Sequence, residues 1–483
     1  MLLPIHTAVF IPADYGVISA LYSYVSLFIV LFTYGMETGF FRFATNHHDK
    51  QRIYSTAQIS LLFSSTIFFI LISFFASSIA RFIGFAEHPE YILCFAAVLA
   101  LDAISAVPFA RLRIENRPVK YGIIKLINVL VNVGLTAWFL IIQPFINSGE
   151  WLIQLNADSI IYVLISNLIA SAVTLVLAVG TVRNLRIKTK SNSIDEPAGQ
   201  EPSNKFKFDF AIWKKMFRYS LPLLIVGLAG MVNETLDRVL LLHLLPYGDK
   251  QNFSLVGIYS ACYKLSILMT LFVGAYRMAA EPFFFNEANK ADAKKIYAQT
   301  MNYFVIACSF LFIFVMCFLE YFKYFLGNES YYTGLQIVPV LLLANLFLGV
   351  YYNLTIWYKL TDKTIYGSYI SLFGAGITIG LNFYLIPKIG FMGSAWTTLA
   401  CYSMMMIVSY FLGQKIYFVP YSIKRFLLYV GLALFLGWFC NPFYHQLFES
   451  HQALYLLASA ITLALFVCVV FFAEKFWKQI ERQ

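Results

Sequence analysis

The sequence predicts an all-α, polytopic integral membrane protein built from two pseudo-symmetric helical bundles. Three observations predict this fold: an apolar composition, a series of long apolar segments, and an internal duplication. Of the 483 residues, 60% are hydrophobic and 12% are charged, whereas about 25% of the residues in a soluble domain are charged. The mean hydropathy is +0.71. This composition excludes a water-soluble enzyme, a disordered chain and a secreted disulfide scaffold.

Thirteen apolar segments are long enough to cross a membrane. A helix needs about 20 residues for this, because each residue adds about 1.5 Å along the axis and the hydrocarbon layer is roughly 30 Å thick. Runs such as 61–76 are continuously apolar, which favours helices over the alternating strands of an outer-membrane barrel. The predicted segments are 17–40, 54–80, 91–110, 119–144, 157–181, 216–245, 254–284, 299–322, 334–357, 366–387, 391–413, 425–443 and 453–473.

The loops between these segments predict the orientation of the chain. Loops that follow odd-numbered segments, together with the C-terminal tail, hold 27 of the 35 lysines and arginines, and the other loops hold four. Because basic loops stay in the cytoplasm, we expect the C-terminus to be cytoplasmic. Membrane topology thereby explains the net charge of +10, and a nucleic-acid partner is not predicted.

The two halves of the chain resemble each other. Residues 15–22 (YGVISALY) align with residues 256–263 (VGIYSACY) at an offset of 241, and residues 113–122 align with 359–367 at an offset of 245 to 246. Both copies have the same predicted orientation, which is typical of a parallel repeat about an axis along the membrane normal. The predicted organisation is an N-terminal bundle at 1–182, a cytoplasmic linker at 183–215, a C-terminal bundle at 216–414, and two additional helices with the tail at 415–483.

The duplication also predicts a helix that this chain lacks. Segment 216–245 would have its repeat partner before residue 5, where residues 2–6 resemble only the end of a helix. We therefore expect thirteen transmembrane helices of a complete set of fourteen, with the first one missing.

Ionisable residues inside the apolar segments are candidates for function, because each costs several kcal/mol in a membrane. These residues carry charges of both signs and include several cations. The cations would suit a ligand with an anionic head in a water-filled cavity. Three of the acids, Glu37, Asp237 and Glu281, are also candidates for binding a coupling proton or Na⁺. The candidate cavity residues are Arg238, Lys264, Arg277, Glu234, Asp237, Glu281, Glu37 and Arg42.

Structural roles stay open for some of these residues. Arg277 and Glu281 have the spacing of an i,i+4 helical ion pair, and Asp237 with Lys264 would form an interhelical bridge. The sequence contains no C-x-x-C, H-E-x-x-H or phosphate-binding-loop motif. No metal site, cofactor or ATP-driven step is therefore predicted.

Five short segments carry a further pattern: Pro12–Gly16, Tyr34–Phe43, Glu234–Arg238, Gly257–Lys264 and Ala279–Phe285. They resemble bacterial polysaccharide-biosynthesis flippases, the Wzx-like exporters of O-antigen, capsule and lipopolysaccharide. These flippases belong to the multidrug/oligosaccharidyl-lipid/polysaccharide (MOP) superfamily, so the resemblance implies a fold like that of multidrug transporters of the MATE type.

The resemblance also implies a function. The chain would be a transporter rather than an enzyme, moving a polyprenyl-pyrophosphate-linked oligosaccharide from the cytoplasmic to the outer leaflet of the bacterial inner membrane by alternating access of two lobes. Arg238, Lys264 and Arg277 would bind the pyrophosphate and the glycan. The implied partners are the lipid-linked oligosaccharide, membrane lipids, a coupling H⁺ or Na⁺, and glycan polymerase or ligase machinery.

Two other functions stay open from the sequence. A cation-coupled multidrug or small-molecule antiporter of the same superfamily would have an acidic cavity, in contrast to the mixed charges found here. A membrane glycan polymerase or glycosyltransferase generally needs a sizeable extramembrane region, whereas no predicted outer loop exceeds about fifteen residues.

Overall fold

The computed structural model describes residues 2–46, 49–149, 155, 157–191, 207–288, 290–439 and 441–480. These residues form helices, and no β-strand occurs among them. Within the same ranges, twelve helical segments are long and apolar enough to cross a membrane. The prediction of an all-α polytopic membrane protein is therefore confirmed.

The predicted segment at 425–443 does not form one long α-helix. A 12-residue α-helix at Ile423–Leu434 is followed by a five-residue π-helical segment at Phe435–Phe439. Residue 440 lies outside the described residues, and a short helix at Asn441–Ser450 follows it. Because a π-helical segment interrupts the regular hydrogen-bond ladder, hydropathy alone overestimates the continuous α-helix here.

The chain forms two compact units. Unit 1 comprises Met1–Phe10 and Val17–Val239, and unit 2 comprises Ile11–Gly16 and Leu240–Gln483. The sequence predicts a boundary in the linker at 183–215, whereas in the structure the division along the chain falls within a helix, after Val239. Residues 192–206 of the predicted linker lie outside the described residues. The division into two repeated bundles stays a prediction.

The helices of unit 1 follow one another along the chain. The first residues of α2 and the last residues of α10 belong to unit 2. The helices are α1 (Leu3–Val9), α2 (Pro12–Thr33), α3 (Met36–Asn46), α4 (Lys50–Phe74), α5 (Ala76–Ile83), α6 (Pro89–Ile114), α7 (Pro118–Ala137), α8 (Gln143–Ser148), α9 (Ile160–Ser191) and α10 (Phe210–Leu244). Buried side chains of α3, α4, α6 and α10, among them Met36, Tyr54 and Met216, form one core cluster of the unit.

Helix α10 packs on the N-terminal helices of unit 1. The indole Nε1 of Trp213 donates a hydrogen bond to Ser60 Oγ at 2.7 Å, and Ser220 Oγ donates to the carbonyl oxygen of Gly35 at 3.0 Å. These bonds explain why most of α10 belongs to unit 1, although the sequence grouped residues 216–244 with the second bundle.

Asp209 caps the start of α10 and connects it to α4. Its Oδ1 accepts hydrogen bonds from the backbone N–H groups of Ala211 at 2.8 Å and Ile212 at 3.0 Å, as is typical of a helix N-cap. Its Oδ2 lies 2.5 Å from Arg52 Nη2. The hydrogen bond from Ile212 and the positive charge of Arg52 hold the pKa of Asp209 below its usual range.

We expect the substitution Asp209→Asn to reduce the acid sensitivity of unfolding. A carboxyl with a depressed folded-state pKa stabilises the protein above its unfolded-state pKa of about 3.9, and this contribution is lost as the pH falls through the lower folded value. Below about pH 4, the wild-type melting temperature in detergent should therefore fall more steeply than that of the variant. Asp362→Asn, which removes an exposed carboxylate, is the control. Equal slopes for the three proteins would contradict this role of Asp209.

Unit 2 contains the remaining helices, including the C-terminal ones. They are α11 (Asp249–Tyr263), α12 (Ile267–Glu287), α13 (Ala293–Cys317), α14 (Leu319–Phe322), α15 (Val338–Leu354), α16 (Ile356–Leu360), α17 (Ile365–Ile389), α18 (Phe391–Ile416), α19 (Ile423–Leu434), α20 (Asn441–Ser450) and α21 (Gln452–Ile480). Helix α15 is the most deeply packed of the long helices, because nearly all of its side chains are buried. It therefore forms the centre of this unit.

The first turns of α2 cross α11 at two glycines of unit 2. A Cβ atom on Gly16 would lie 1.8 Å from the carbonyl oxygen of Phe253, and one on Gly257 would lie 2.0 Å from that of Pro12. The two glycines are equivalent positions of the duplication, 241 residues apart, so the contact is reciprocal. Small residues allow helix backbones to approach this closely.

Candidate functional site

A polar cleft in unit 2 brings together two of the predicted site residues. It has a volume of about 20 Å³, enough for about one water molecule, and it lies among α12, α15 and α16. Its lining combines two cations, one carboxylate, two tyrosines and an amide: Arg277, Lys359, Glu281, Tyr276, Tyr352 and Asn353. Arg277 and Glu281 are predicted site residues, whereas Lys359 is not.

Arg277 is exposed in this cleft and is positioned by an aromatic ring. Its guanidinium carbon lies 4.5 Å from the centroid of the Tyr352 ring, which is a cation–π geometry. The neighbouring hydroxyl of Tyr276 donates a hydrogen bond to Asn353 Oδ1 at 2.5 Å. The cation–π contact thus holds the guanidinium next to Tyr352, and its N–H donors can bind an anionic ligand.

Glu281 forms an ion pair with a cation from a different helix. Lys359 Nζ lies 2.8 Å from Glu281 Oε1, so the carboxylate pairs across helices rather than with Arg277 at i,i+4. Lys359 belongs to the five-residue helix α16, which follows the end of α15 at Leu354. In the sequence, Lys359 lies in a predicted loop, just after the segment 334–357. Only its alignment with Arg113 in the duplication signalled a special position.

Lys264 lies outside the lining of this cleft. It starts a 3₁₀-helical segment, Lys264–Ser266, between α11 and α12. Its Nζ lies 5.3 Å from the ring centroid of Tyr15, a residue that also belongs to unit 2. The side chain is exposed, so its ammonium group is open to solvent or a ligand.

The predicted residues of α10 form a local cluster in unit 1. Arg238 Nη1 lies 3.1 Å from Asp237 Oδ1 and donates to the carbonyl oxygen of Glu234 at 3.3 Å. The side chains of Arg238 and Asp237 are 14% and 6% exposed, whereas that of Glu234 is exposed. Asp237 thus has an ion-pair partner on its own helix, one residue away.

The two remaining predicted residues lie on α3 in unit 1. Glu37 forms an ion pair with Arg113 at the end of α6. The guanidinium carbon of Arg42 lies 4.3 Å from the ring centroid of Tyr219 on α10. Arg113, like Lys359, lies outside the predicted apolar segments and is not among the predicted site residues.

An apolar groove in unit 2 lies beside the polar cleft. It has a volume of about 420 Å³, and its walls come from α12, α13 and α21: Phe272, Tyr303, Ile306, Ala307, Phe310, Leu311, Phe466, Val467 and Val470. Phe272 is one turn from Tyr276 of the cleft, and both rings contact Phe304, at centroid distances of 5.9 and 4.4 Å. Helix α12 is therefore a wall shared by the polar cleft and the apolar groove.

No group of three or more His, Cys, Asp or Glu residues that could hold a metal ion occurs within the described ranges. The chemistry of the cleft is that of cations, hydroxyl groups and one carboxylate. Such a lining can bind an anion through charge-assisted hydrogen bonds.

The family model of polysaccharide biosynthesis proteins matches residues 1–287 of the chain. Among solved structures, the lipid II flippase MurJ in an inward closed conformation gives a TM-score of 0.64 at 13% identity, over 98% of this chain and 97% of that chain. A multidrug resistance MATE family transporter of the MOP superfamily gives 0.61 in an inward-facing conformation, at 12% identity and over 86% of this chain and 94% of that chain. No curated protein sequence matches the chain. At these identities, the likeness to solved structures shows the fold.

Proposed function

The chain belongs to the polysaccharide biosynthesis protein family, and from this premise we propose that it is a transporter of the MOP superfamily, namely a flippase for a lipid-linked oligosaccharide. The proposed substrate is an oligosaccharide on a polyprenyl pyrophosphate, which moves from the cytoplasmic to the outer leaflet of the bacterial inner membrane. The glycan then becomes available to polymerase or ligase machinery on the outer side.

The observation that carries this proposal is the shared wall between the polar cleft and the apolar groove. A lipid-linked glycan has an anionic, hydrogen-bonding head next to a long apolar tail. Arg277 and Lys359 offer charge-assisted hydrogen bonds to phosphate, while Phe272 and Phe310 offer an apolar surface along α12 and α13. A small water-soluble substrate would need only the first of these surfaces.

The further cations named from the sequence, Arg238 in unit 1 and Lys264 in unit 2, are proposed substrate contacts of their own units. Lys264 and Arg238 contribute positive charge from exposed or partly exposed positions. Glu37, Asp237 and Glu281 each form an ion pair, so a coupling proton would have to break that pair when it binds. Glu234, which is exposed on α10, is a proposed cavity contact of the substrate.

The proposed mechanism is alternating access, with the headgroup inside the protein and the tail in the bilayer. An unshielded pyrophosphate in hydrocarbon would face a solvation cost of tens of kcal/mol. Cationic side chains along the path remove most of this barrier. The proposed orientation has the basic loops and the C-terminus in the cytoplasm, in agreement with the distribution of Lys and Arg.

The function is tested by depleting the protein and measuring which leaflet holds the lipid-linked oligosaccharide. We expect the intermediate to accumulate on the cytoplasmic leaflet, and wild-type protein to restore export. Arg277→Ala should restore it poorly, because it removes a charge-assisted contact worth about 1.5–3 kcal/mol, whereas Lys290→Ala, at an exposed position of the same unit, should restore it fully. Unchanged glycan export combined with increased sensitivity to cationic drugs would overturn the flippase proposal and favour an antiporter.

A further inference from the structure

The duplication places an acid–base ion pair at the same position of both units. Glu37 pairs with Arg113 in unit 1, and Glu281 pairs with Lys359 in unit 2. The glutamates are 244 residues apart and the cations 246 residues apart, within the range of 241 to 246 that the two sequence alignments give for the repeat. In each unit the acid and the cation come from helices that are far apart in sequence.

The packing next to each glutamate is repeated as well. Three residues after Glu37, the buried ring of Phe40 contacts Tyr54 edge-on, with a centroid distance of 6.0 Å. Three residues after Glu281, the buried ring of Phe284 contacts Tyr297 edge-on at 5.1 Å. An equivalent aromatic contact thus lies next to each of the two carboxylates.

These ion pairs are poorly explained as sources of stability. The side chains of Lys359 and Glu281 are 24% and 39% exposed, and those of Arg113 and Glu37 are 46% and 38% exposed. Ion pairs with this access to solvent contribute about 0–1 kcal/mol. A bound anion can therefore compete with the glutamate for the cation.

The charge balance of the cleft in unit 2 points to the ligand. Arg277 and Lys359 supply two positive charges, and Glu281 supplies one negative charge, so the cleft is net positive while the ion pair is intact. Tyr276 and Asn353 add neutral hydrogen-bonding groups to the same lining. This composition favours an anion with several oxygen acceptors, and a phosphate group is such an anion.

We propose that Lys359 and Arg113 are repeat-related phosphate contacts, one in each unit, and that Glu281 and Glu37 hold them in place until a phosphate-bearing ligand binds. The identity of the ligand as a polyprenyl pyrophosphate rests on the proposed function. The positions of the contacts rest on the two ion pairs and their repeated surroundings. Each cation is then a specificity residue for a phosphate group bound in its own unit.

The test measures binding of undecaprenyl pyrophosphate to the purified full-length protein in detergent, with undecaprenol and inorganic pyrophosphate as separate arms. Lys359→Met should weaken undecaprenyl pyrophosphate binding about tenfold or more, the effect of losing one charge-assisted hydrogen bond. Undecaprenol binding should not change. Glu281→Gln should bind at least as tightly as wild type, because it leaves Lys359 free for the ligand. Loss of inorganic pyrophosphate binding in Lys359→Met would identify the phosphate itself, rather than the lipid, as the ligand group.

The exchanged pair Glu281→Lys with Lys359→Glu separates this role from a structural one. We expect the exchange to keep the melting temperature near that of wild type but to leave undecaprenyl pyrophosphate binding weak, because the cation now lies on the wrong helix. If the exchanged variant has both the wild-type melting temperature and the wild-type affinity for undecaprenyl pyrophosphate, the pair is a structural bridge and the inference is overturned. The pair Glu37 and Arg113 gives the same test independently, should a variant of the first pair fail to fold.

The outcomes also separate this inference from the proposed function. Wild-type protein that moves lipid-linked glycan, together with a Lys359→Met variant of unchanged affinity, would overturn only the inference. Wild-type protein that binds neither form of pyrophosphate would overturn both.

Discussion

Replacing Gly257 with valine is expected to lower the stability of the folded protein strongly. The new Cβ would lie 2.0 Å from the carbonyl oxygen of Pro12, far inside van der Waals contact, and the obstructing atom belongs to the backbone rather than to a flexible side chain. The helices α2 and α11 would have to separate. Overpacking of this kind costs about 1–3 kcal/mol and sometimes more, so the melting temperature in detergent should fall by several degrees.

The reciprocal position should respond in the same way. A Cβ on Gly16 would lie 1.8 Å from the carbonyl oxygen of Phe253, so even Gly16→Ala cannot be accommodated without a backbone shift. Because side chains at the two positions would block the same crossing, the double variant should cost less than the sum of the single variants.

A matched control is available within the same unit. Gly380→Val also places a β-branched residue in a helix, but a Cβ there meets no atom within 4 Å. This substitution should therefore change the free energy of unfolding only by the difference in helix propensity, a few tenths of a kcal/mol. Equal losses of melting temperature in Gly257→Val and Gly380→Val would show that the close crossing does not contribute to stability.

The fold could be predicted from the sequence because the membrane restricts the possibilities. A chain that crosses hydrocarbon must satisfy its backbone hydrogen bonds internally, so length and hydropathy are enough to locate most helices. The exception at 425–443 arises where the α-helix gives way to a π-helical segment at Phe435–Phe439, a local change that leaves hydropathy unaltered.

The partners of the candidate site residues could be predicted only in part. Charge at membrane depth identified Glu37, Arg277 and Glu281, but Lys359 and Arg113 were counted with the loops because they lie near helix ends. Arg113 is 76 residues from its partner in sequence and Lys359 is 78 residues from its partner. Each pairing therefore depends on how distant helices pack. Helical periodicity describes neighbours at i+3 and i+4 and therefore favoured Arg277 as the partner of Glu281. The duplication was the one signal in the sequence that related Lys359 to Arg113.

Filling the apolar groove is expected to block movement of a lipid-linked substrate while leaving the polar cleft intact. Ala307 lines the groove on α13, and Ala307→Trp would place an indole in the space proposed for the polyprenyl tail. Each CH₂ group displaced from apolar contact costs about 0.8 kcal/mol, so displacing only two would weaken binding about tenfold. Measured in proteoliposomes, flipping of the lipid-linked oligosaccharide should fall by at least this factor.

The matched control is Ala464→Trp, which adds the same side chain at an exposed position of α21 outside the lining of the groove. It should leave flipping near the wild-type rate, and both variants should bind inorganic pyrophosphate as wild type does, because neither alters Arg277 or Lys359. If Ala307→Trp folds normally and flips the lipid-linked oligosaccharide at the wild-type rate, the tail does not use this groove. The pairing of a polar cleft with an apolar groove along α12 would then no longer support a lipid-linked substrate over a water-soluble one.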